Sequence, residues 1–168
     1  MLLAVPALLT LLTAPSAEAA DAVLYVVRHA EKASDPKGDP ALTPAGQVRA
    51  EALAHALAEV PLAGVHSTDT TRTRATAAPL AGARGLAVQT YDPSDAGALV
   101  TRLRAAGGGH LVVGHSDTIA GIVAAAGGDG GPTVGDHEFD RLYVVVLPEE
   151  GAATTVRLRY GAPTPPPR

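Results

Sequence analysis

A chain of 168 residues, 46% of them hydrophobic, is long enough for one domain that buries its own core. It holds no cysteine, which excludes disulfide frameworks, thiol nucleophiles, iron–sulfur clusters and thiolate zinc sites. A formal charge of −4 with 3% aromatic residues lacks the basic footprint and stacking platforms of a nucleic-acid binder, so no nucleic-acid partner is expected.

In chain order, Leu2 to Leu12 is an apolar run broken by Pro6, and Ala17-x-Ala19 follows as a cleavage site. Residues 1–19 therefore read as a signal peptide without the usual basic start, and the expected location is periplasmic or secreted. The run is shorter than the ~20 residues of a spanning helix. No cysteine is present to take a lipid, so no stable membrane anchor is expected.

Leu24-Tyr25-Val26-Val27 is a run of β-formers that suits a strand buried on both faces, and it ends in Arg28-His29-Ala30-Glu31-Lys32. Ala33 to Pro40 reads as an exposed loop over the end of that strand. Thr43-Pro44 supplies an N-cap and a first-turn proline. The helix it opens carries an apolar stripe of Val48, Ala52, Leu53, Ala56, Leu57 and Val60, stopped by Pro61. Further strands are expected over 63–67, 86–89, 110–115, 142–147 and 154–160, and helices over 70–81, 94–105 and 119–126. Gly107 to Gly109 ends the third helix, and Pro148 to Gly151 suits the turn of an antiparallel hairpin. Gly127 to Gly131 lacks the lysine and hydroxyl residue of a phosphate-binding loop and reads as a plain connection. The proline-rich residues 163–168 read as a disordered tail, which leaves 20–162 as the folded domain.

Strands alternating with helices predict an α/β fold, a three-layer α/β/α sandwich with a mostly parallel sheet. Parallel strands put their carboxyl ends on one edge, where such sheets bind ligands. Three strands end there in Arg28-His29, His66-Ser67 and His115, and the helix after the second opens on Arg72. Two imidazoles and two guanidiniums suit a phosphoryl group. Guanidinium forks grip phosphate oxygens, and imidazole can attack phosphorus or donate to oxygen.

On these residues the chain resembles the histidine phosphatase superfamily, branch 1, of phosphoglycerate mutase-like fold. Val26-Val27-Arg28-His29-Ala30-Glu31 resembles the family's opening signature, and Leu42-Thr43-Pro44-Ala45-Gly46 with Arg49-Ala50 the start of its first helix. His66-Ser67 through Arg72-Thr73 to Thr76-Ala77 resembles the block with the second arginine, and Val112-Val113-Gly114-His115-Ser116 the block with the second histidine. Asp140-Arg141-Leu142-Tyr143 is similar to a late strand of the family. The resemblance implies that His29 is the nucleophile of a phosphomonoester or phosphohistidine phosphatase and forms a phosphohistidine. It implies that Arg28, Arg72 and His115 hold the phosphoryl oxygens, and that no metal or other cofactor is needed.

The sequence departs from the family where Ala30 stands for a frequent glycine, where Asp69-Thr70 replaces a Pro-hydrophobic pair, and where Asp117 takes a frequent asparagine position. Asp117 is accordingly one candidate general acid, with Glu31, Asp92 and Asp95 as the others. Asp95 could instead cap a helix, and Glu31 could pair with an arginine. Arg84 to Gln89 lacks the mutase glutamate, which favours a phosphatase. The substrate stays open among phosphorylated small molecules, glycans and phosphoproteins, and the rival reading is an idle module that binds phosphorylated ligands. Arg74 and His55 read as surface residues, His110 as a strand start, and His137 as part of a charged loop with Asp136 and Glu138. Lys32 has no assigned role.

Overall fold

The computed structural model describes residues 21–35 and 37–164. The expected leader over 1–19 and residues 165–168 of the expected tail lie outside the described residues. In chain order the elements are β1 (Ala22–Arg28), α1 (Pro44–Ala56), β2 (Leu62–Ser67), α2 (Thr71–Arg84), β3 (Val88–Thr90), α3 (Ala96–Ala106), β4 (Gly108–Gly114), α4 (Ile119–Ala125), β5 (Arg141–Leu147) and β6 (Thr154–Arg159). The strands form one sheet in the order β3-β2-β4-β1-β5-β6. Its first four are mutually parallel, while β5 and β6 run antiparallel as the expected hairpin.

Strand residues alternate between faces, and the two helix layers divide them accordingly. Leu24, Val26 and Val112 pack under α3 and α4 with Leu99, Leu103, Ile119 and Ile122. Val27, Val65, Leu111 and Val113 face α1 and α2 with Leu53, Leu57, Ala77 and Leu80. β1 and β4 are covered on both sides, which explains why their sequences read as continuous apolar runs. This is the expected three-layer α/β sandwich of phosphoglycerate mutase-like fold.

Three local expectations need correction. In α1 the inward face is Gly46, Arg49, Ala50 and Leu53, whereas Val48 is 70% exposed and Ala56 also faces outward. The face is set by Arg49, which turns inward to Glu31, and by Gly46, where a Cβ would come within 2.2 Å of the Glu31 carbonyl oxygen. Only glycine permits that approach. β3 begins at Val88 and not at 86, because Gly85 caps α2 at φ 63° and Leu86 donates its N–H back to Ala81. α3 begins at Ala96 and not at 94, since Asp95 accepts the Ala98 N–H as its N-cap. At the other end of the chain, Thr164 donates its N–H to Asp140 and accepts that of Phe139, so the first residues of the expected tail are tied to the domain.

Candidate active site

The neighbouring parallel strands β1 and β4 end in register, Arg28 beside Gly114, and the His29 N–H extends the ladder by donating to the Gly114 carbonyl at 2.9 Å. His29 and His115 are each one residue past a strand, and their ring centroids lie 5.5 Å apart. Arg72 arrives on the first turn of α2, which Thr70 caps, and Asp117 lies in the turn after β4. Arg28, His29, Arg72, His115 and Asp117 line one cleft of about 560 Å³, joined by Lys32, Pro93, Ser116, Thr118 and Asp136. The structure therefore brings together all five residues picked from sequence as catalytic or phosphate-binding.

His29 is 3% exposed, and its Nδ1 lies 2.7 Å from the Ala30 carbonyl oxygen. A carbonyl only accepts, so the ring donates from Nδ1 and the neutral imidazole keeps its lone pair on Nε2. Burial, followed by the nearby Arg28, Arg72 and His115, lowers its pKa to about 4 despite the opposing bond to Ala30. The ring is thus unprotonated at neutral pH. Ala30 is buried without positive φ, so the alanine in place of glycine is free of backbone strain, and its N–H donates to Thr76 Oγ1 on α2.

His115 is oriented by threonines. Its Nε2 lies 2.8 Å from Thr68 Oγ1, and the Thr68 hydroxyl donates to Thr73 Oγ1 at 3.0 Å. Thr68 can then accept only from His115 Nε2–H, which leaves the Nδ1 lone pair toward Arg72 Nη2 at 3.4 Å. Burial and then Arg72 lower the His115 pKa, while Asp117 works in the opposite direction.

The two arginines are held unequally. Arg28 Nη1 donates to the carbonyls of Gly135, Asp136 and Glu138 at 2.8 to 3.0 Å, and its guanidinium lies 4.3 Å from the Phe139 ring centroid. Arg72 Nη1 makes only long contacts of 3.5 Å, to Gly38 O and Asp39 Oδ1. The Nε atoms of both arginines are buried without a partner among the described residues. An unmade bond on a buried charged donor costs about 1–3 kcal/mol or more, which an oxyanion in the cleft would recover.

Of the four candidate general acids, only Asp117 lines the cleft. Glu31 is bound by Arg49, whose Nε and Nη2 reach its carboxylate at 2.7 to 3.0 Å. Burial pushes that carboxyl up, but the Arg49 bonds outweigh it and the pKa ends below the ordinary value. Asp92 is exposed and accepts from Ser94 N and Oγ, closing a turn, while Asp95 caps α3.

His66 is the second correction at the site. It is the fifth residue of β2 and its side chain is 2% exposed, 3.3 Å from His110 Nδ1 and away from the cleft. His110 Nε2 donates to the Gly107 carbonyl, so His66 Nε2–H must donate to His110 Nδ1. Gly64 makes room for the pair, since a Cβ there would come within 2.9 Å of both rings. Arg74 pairs with Asp69 at the surface and His55 is exposed, as read from sequence. Sequence reasoning passed over Thr68, the 135–138 backbone and Phe139; the position of Thr68 one residue past β2 was the available signal.

Residues 24–93 match the model of the histidine phosphatase superfamily (branch 1). No curated protein matches the sequence. Among solved structures, the protein histidine phosphatase SixA, determined with tungstate, superposes with a TM-score of 0.67 at 19% identity, over 82% of this chain and 96% of that one. A mycobacterial glucosyl-3-phosphoglycerate phosphatase gives 0.61 at 17% identity, over 75% and 90%. Phosphoglycerate mutase from Bacillus anthracis gives 0.62 at 15% identity, over 83% and 93%. At these identities the likeness is one of fold.

Proposed function

We propose, from a chain whose residues 24–93 match the histidine phosphatase superfamily (branch 1) on the corresponding fold, that this protein hydrolyses phosphomonoesters or phosphohistidine through a phosphohistidine at His29. The observation that carries this reading is the His29 hydrogen bond to Ala30, which aims an unprotonated Nε2 into a cleft with two arginines whose Nε donors are unpaired.

The chemistry follows from the geometry. A substrate phosphoryl group pairs with Arg28 and Arg72, whose fixed charges stabilise its equatorial oxygens as the bond to the leaving group lengthens. His29 Nε2 donates its lone pair to phosphorus, the phosphorus–oxygen (or phosphorus–nitrogen) bond to the leaving group breaks, and Asp117 supplies that group's proton. His115, once protonated at Nδ1, donates to a phosphoryl oxygen. Water then attacks phosphorus, gives its proton to the Asp117 carboxylate, and breaks the bond to His29 to release orthophosphate. Splitting one displacement into two through a covalent intermediate lowers each barrier. The scheme assigns each role to a side chain of this chain or to water, and the expectation of metal-free catalysis is carried to the EDTA arm of the test. The apolar run before Ala17-x-Ala19 supports an exported protein acting outside the cytoplasm.

The test is hydrolysis of an aryl phosphate with acid-labile, base-stable trapping of labelled phosphate on His29. The expected result is label on the wild-type chain, none on His29→Ala, inhibition by vanadate and no effect of EDTA. Turnover by a folded His29→Ala variant would refute the assignment, and binding of phosphate esters without turnover by the wild type would establish the idle module in its place.

A further inference from the structure

The cleft owes the aim of one arginine to the charged loop over 135–138, whose Asp136 also lines it. Arg28 Nη1 is fully engaged by three backbone carbonyls from Gly135, Asp136 and Glu138, and this leaves Nε and Nη2 as the donors free for an oxyanion. Three carbonyls converge on one nitrogen only if the turn that carries them is closed. One backbone bond and one side-chain bond join its ends. Glu138 Oε2 accepts the Gly135 N–H at 2.9 Å, and the Glu138 N–H donates to the Gly135 carbonyl at 2.9 Å, a reciprocal clasp across the turn. The same carboxylate receives Arg141 Nη2 at 2.7 and 2.8 Å and Arg159 Nη1 at 3.2 Å, which moor the turn to β5 and β6. Arg141 is itself buried and donates to Pro132 O and Tyr143 Oη, so the mooring is rigid.

We propose that Glu138 is the positioning residue of Arg28: its carboxylate closes the 135–138 turn, and the turn's carbonyls hold the guanidinium in the orientation that an anionic phosphoryl group requires. The inference rests on the phosphatase reading for the identity of the anion. Phe139, next in sequence, places its ring centroid 4.3 Å from the Arg28 guanidinium carbon, so the residue that closes the turn also sets the register of the aromatic platform. Without Glu138 the carbonyls separate, and Arg28 gains freedom that must be lost again on binding.

The experiment uses tungstate as the probe and a double-mutant cycle as the readout, on the full chain. Glu138→Ala is expected to weaken tungstate binding by calorimetry about tenfold or more, the scale on which small misplacements of a binding group act. In an Arg28→Ala background, which still holds Arg72 and His115, the same change should weaken it no further, because a residue that acts through Arg28 has nothing left to position. Glu138→Gln keeps an acceptor for the Gly135 N–H and should recover most of the loss. Glu138→Asp, whose shorter side chain retracts the carboxylate from the Gly135 N–H, carries the cycle if Glu138→Ala does not fold. An independent signal is the Arg28 Nε–H resonance, assigned by its absence in Arg28→Ala; it should be sharp in the wild type and broadened in Glu138→Ala.

Equal losses in both backgrounds, no loss at all, or an unchanged Nε–H resonance would each overturn the proposal. Tungstate binding with the expected cycle but no phosphatase turnover would leave the positioning role standing and remove the hydrolase. A wild type that does not bind tungstate overturns both.

Discussion

Glu31 and Arg49 form a two-pronged ion pair at 2.7 to 3.0 Å, and the same guanidinium donates to the carbonyls of Tyr160 and Ala162. The pair thus joins the segment after His29, the first helix and the residues that follow the sheet's last strand. Its side chains are 5% and 23% exposed, so the pair is far less open to water than a surface bridge. Removing one partner of such a pair leaves a buried charge and costs about 3–5 kcal/mol. Glu31→Ala is therefore expected to lower the urea midpoint strongly, by that order. The acid limb of the pH–rate profile should stay in place in the folded fraction, because Glu31 serves structure and not proton transfer. A shifted acid limb with an unchanged midpoint would reverse that assignment.

In the proposed mechanism the proton for the leaving group comes instead from Asp117, the one of the four candidate acids that lines the cleft. Asp117→Asn should reduce kcat by about 10²–10⁴ for an alkyl phosphate, whose leaving group must be protonated. The loss should be far smaller for an aryl phosphate with an acidic phenol, which departs without help. A variant equally slow on both substrates, measured by steady-state kinetics, would show that Asp117 acts on something other than the leaving group.

How much of this was legible in the chain depends on where each side chain sits relative to its strand. His29 and His115 could be placed because apolar runs end just before them, and a parallel sheet aligns those ends. The same reasoning applied to β2 singled out His66, yet a residue inside a strand points into a helix layer. The residue one past the end of β2 is Thr68, and it is Thr68 that reaches His115. Val48 was assigned inward by counting apolar residues, which cannot register that Arg49 is the side chain turned to the interior. The hold on Arg28 is made by backbone carbonyls, and no pattern of side chains announces those.

Buried neutral histidines make stability fall with acidity in a definite window. Burial lowers both His29 and His66 from 6.5 to about 4, for His66 with help from His110 and Arg102. Their folded pKa values lie below the unfolded ones, so the unfolded chain binds more protons. The stability they allow is fully present above pH 6.5 and is lost as pH falls from 6.5 toward 4, by at most about 1.4 kcal/mol per unit for each ring. The lowered carboxyls of Glu31 and Asp140 begin to contribute only as pH falls to their unfolded values of 4.5 and 3.8, so the upper part of the window belongs to the histidines. Urea midpoints measured across this range should drop well before the carboxylates titrate. His66→Gln, which can still donate to His110 and lies away from the cleft, should make the drop shallower. A wild-type midpoint that is flat between pH 6.5 and 4 would contradict the neutral, buried state of these rings.

His115 carries its proton on Nε2, toward Thr68, and turns its Nδ1 lone pair toward Arg72. An oxyanion reverses the electrostatics, because a nearby negative charge favours the imidazolium and a second proton on Nδ1 then makes a charge-assisted bond to it. Tungstate, which stays dianionic from pH 6 to 8, should therefore bind with net proton uptake and bind more tightly as pH falls. Calorimetry in buffers of different ionisation enthalpy reads this directly. Thr68 accepts the Nε2 proton and so fixes which nitrogen faces the cleft. Thr68→Val keeps the shape but removes the acceptor, and should abolish most of the proton uptake while weakening tungstate about tenfold, the scale of a lost hydrogen bond to a charged group. His115→Ala should abolish the uptake altogether. Proton uptake that persists in His115→Ala would place the titrating group elsewhere, with His29 the next to test by the same measurement.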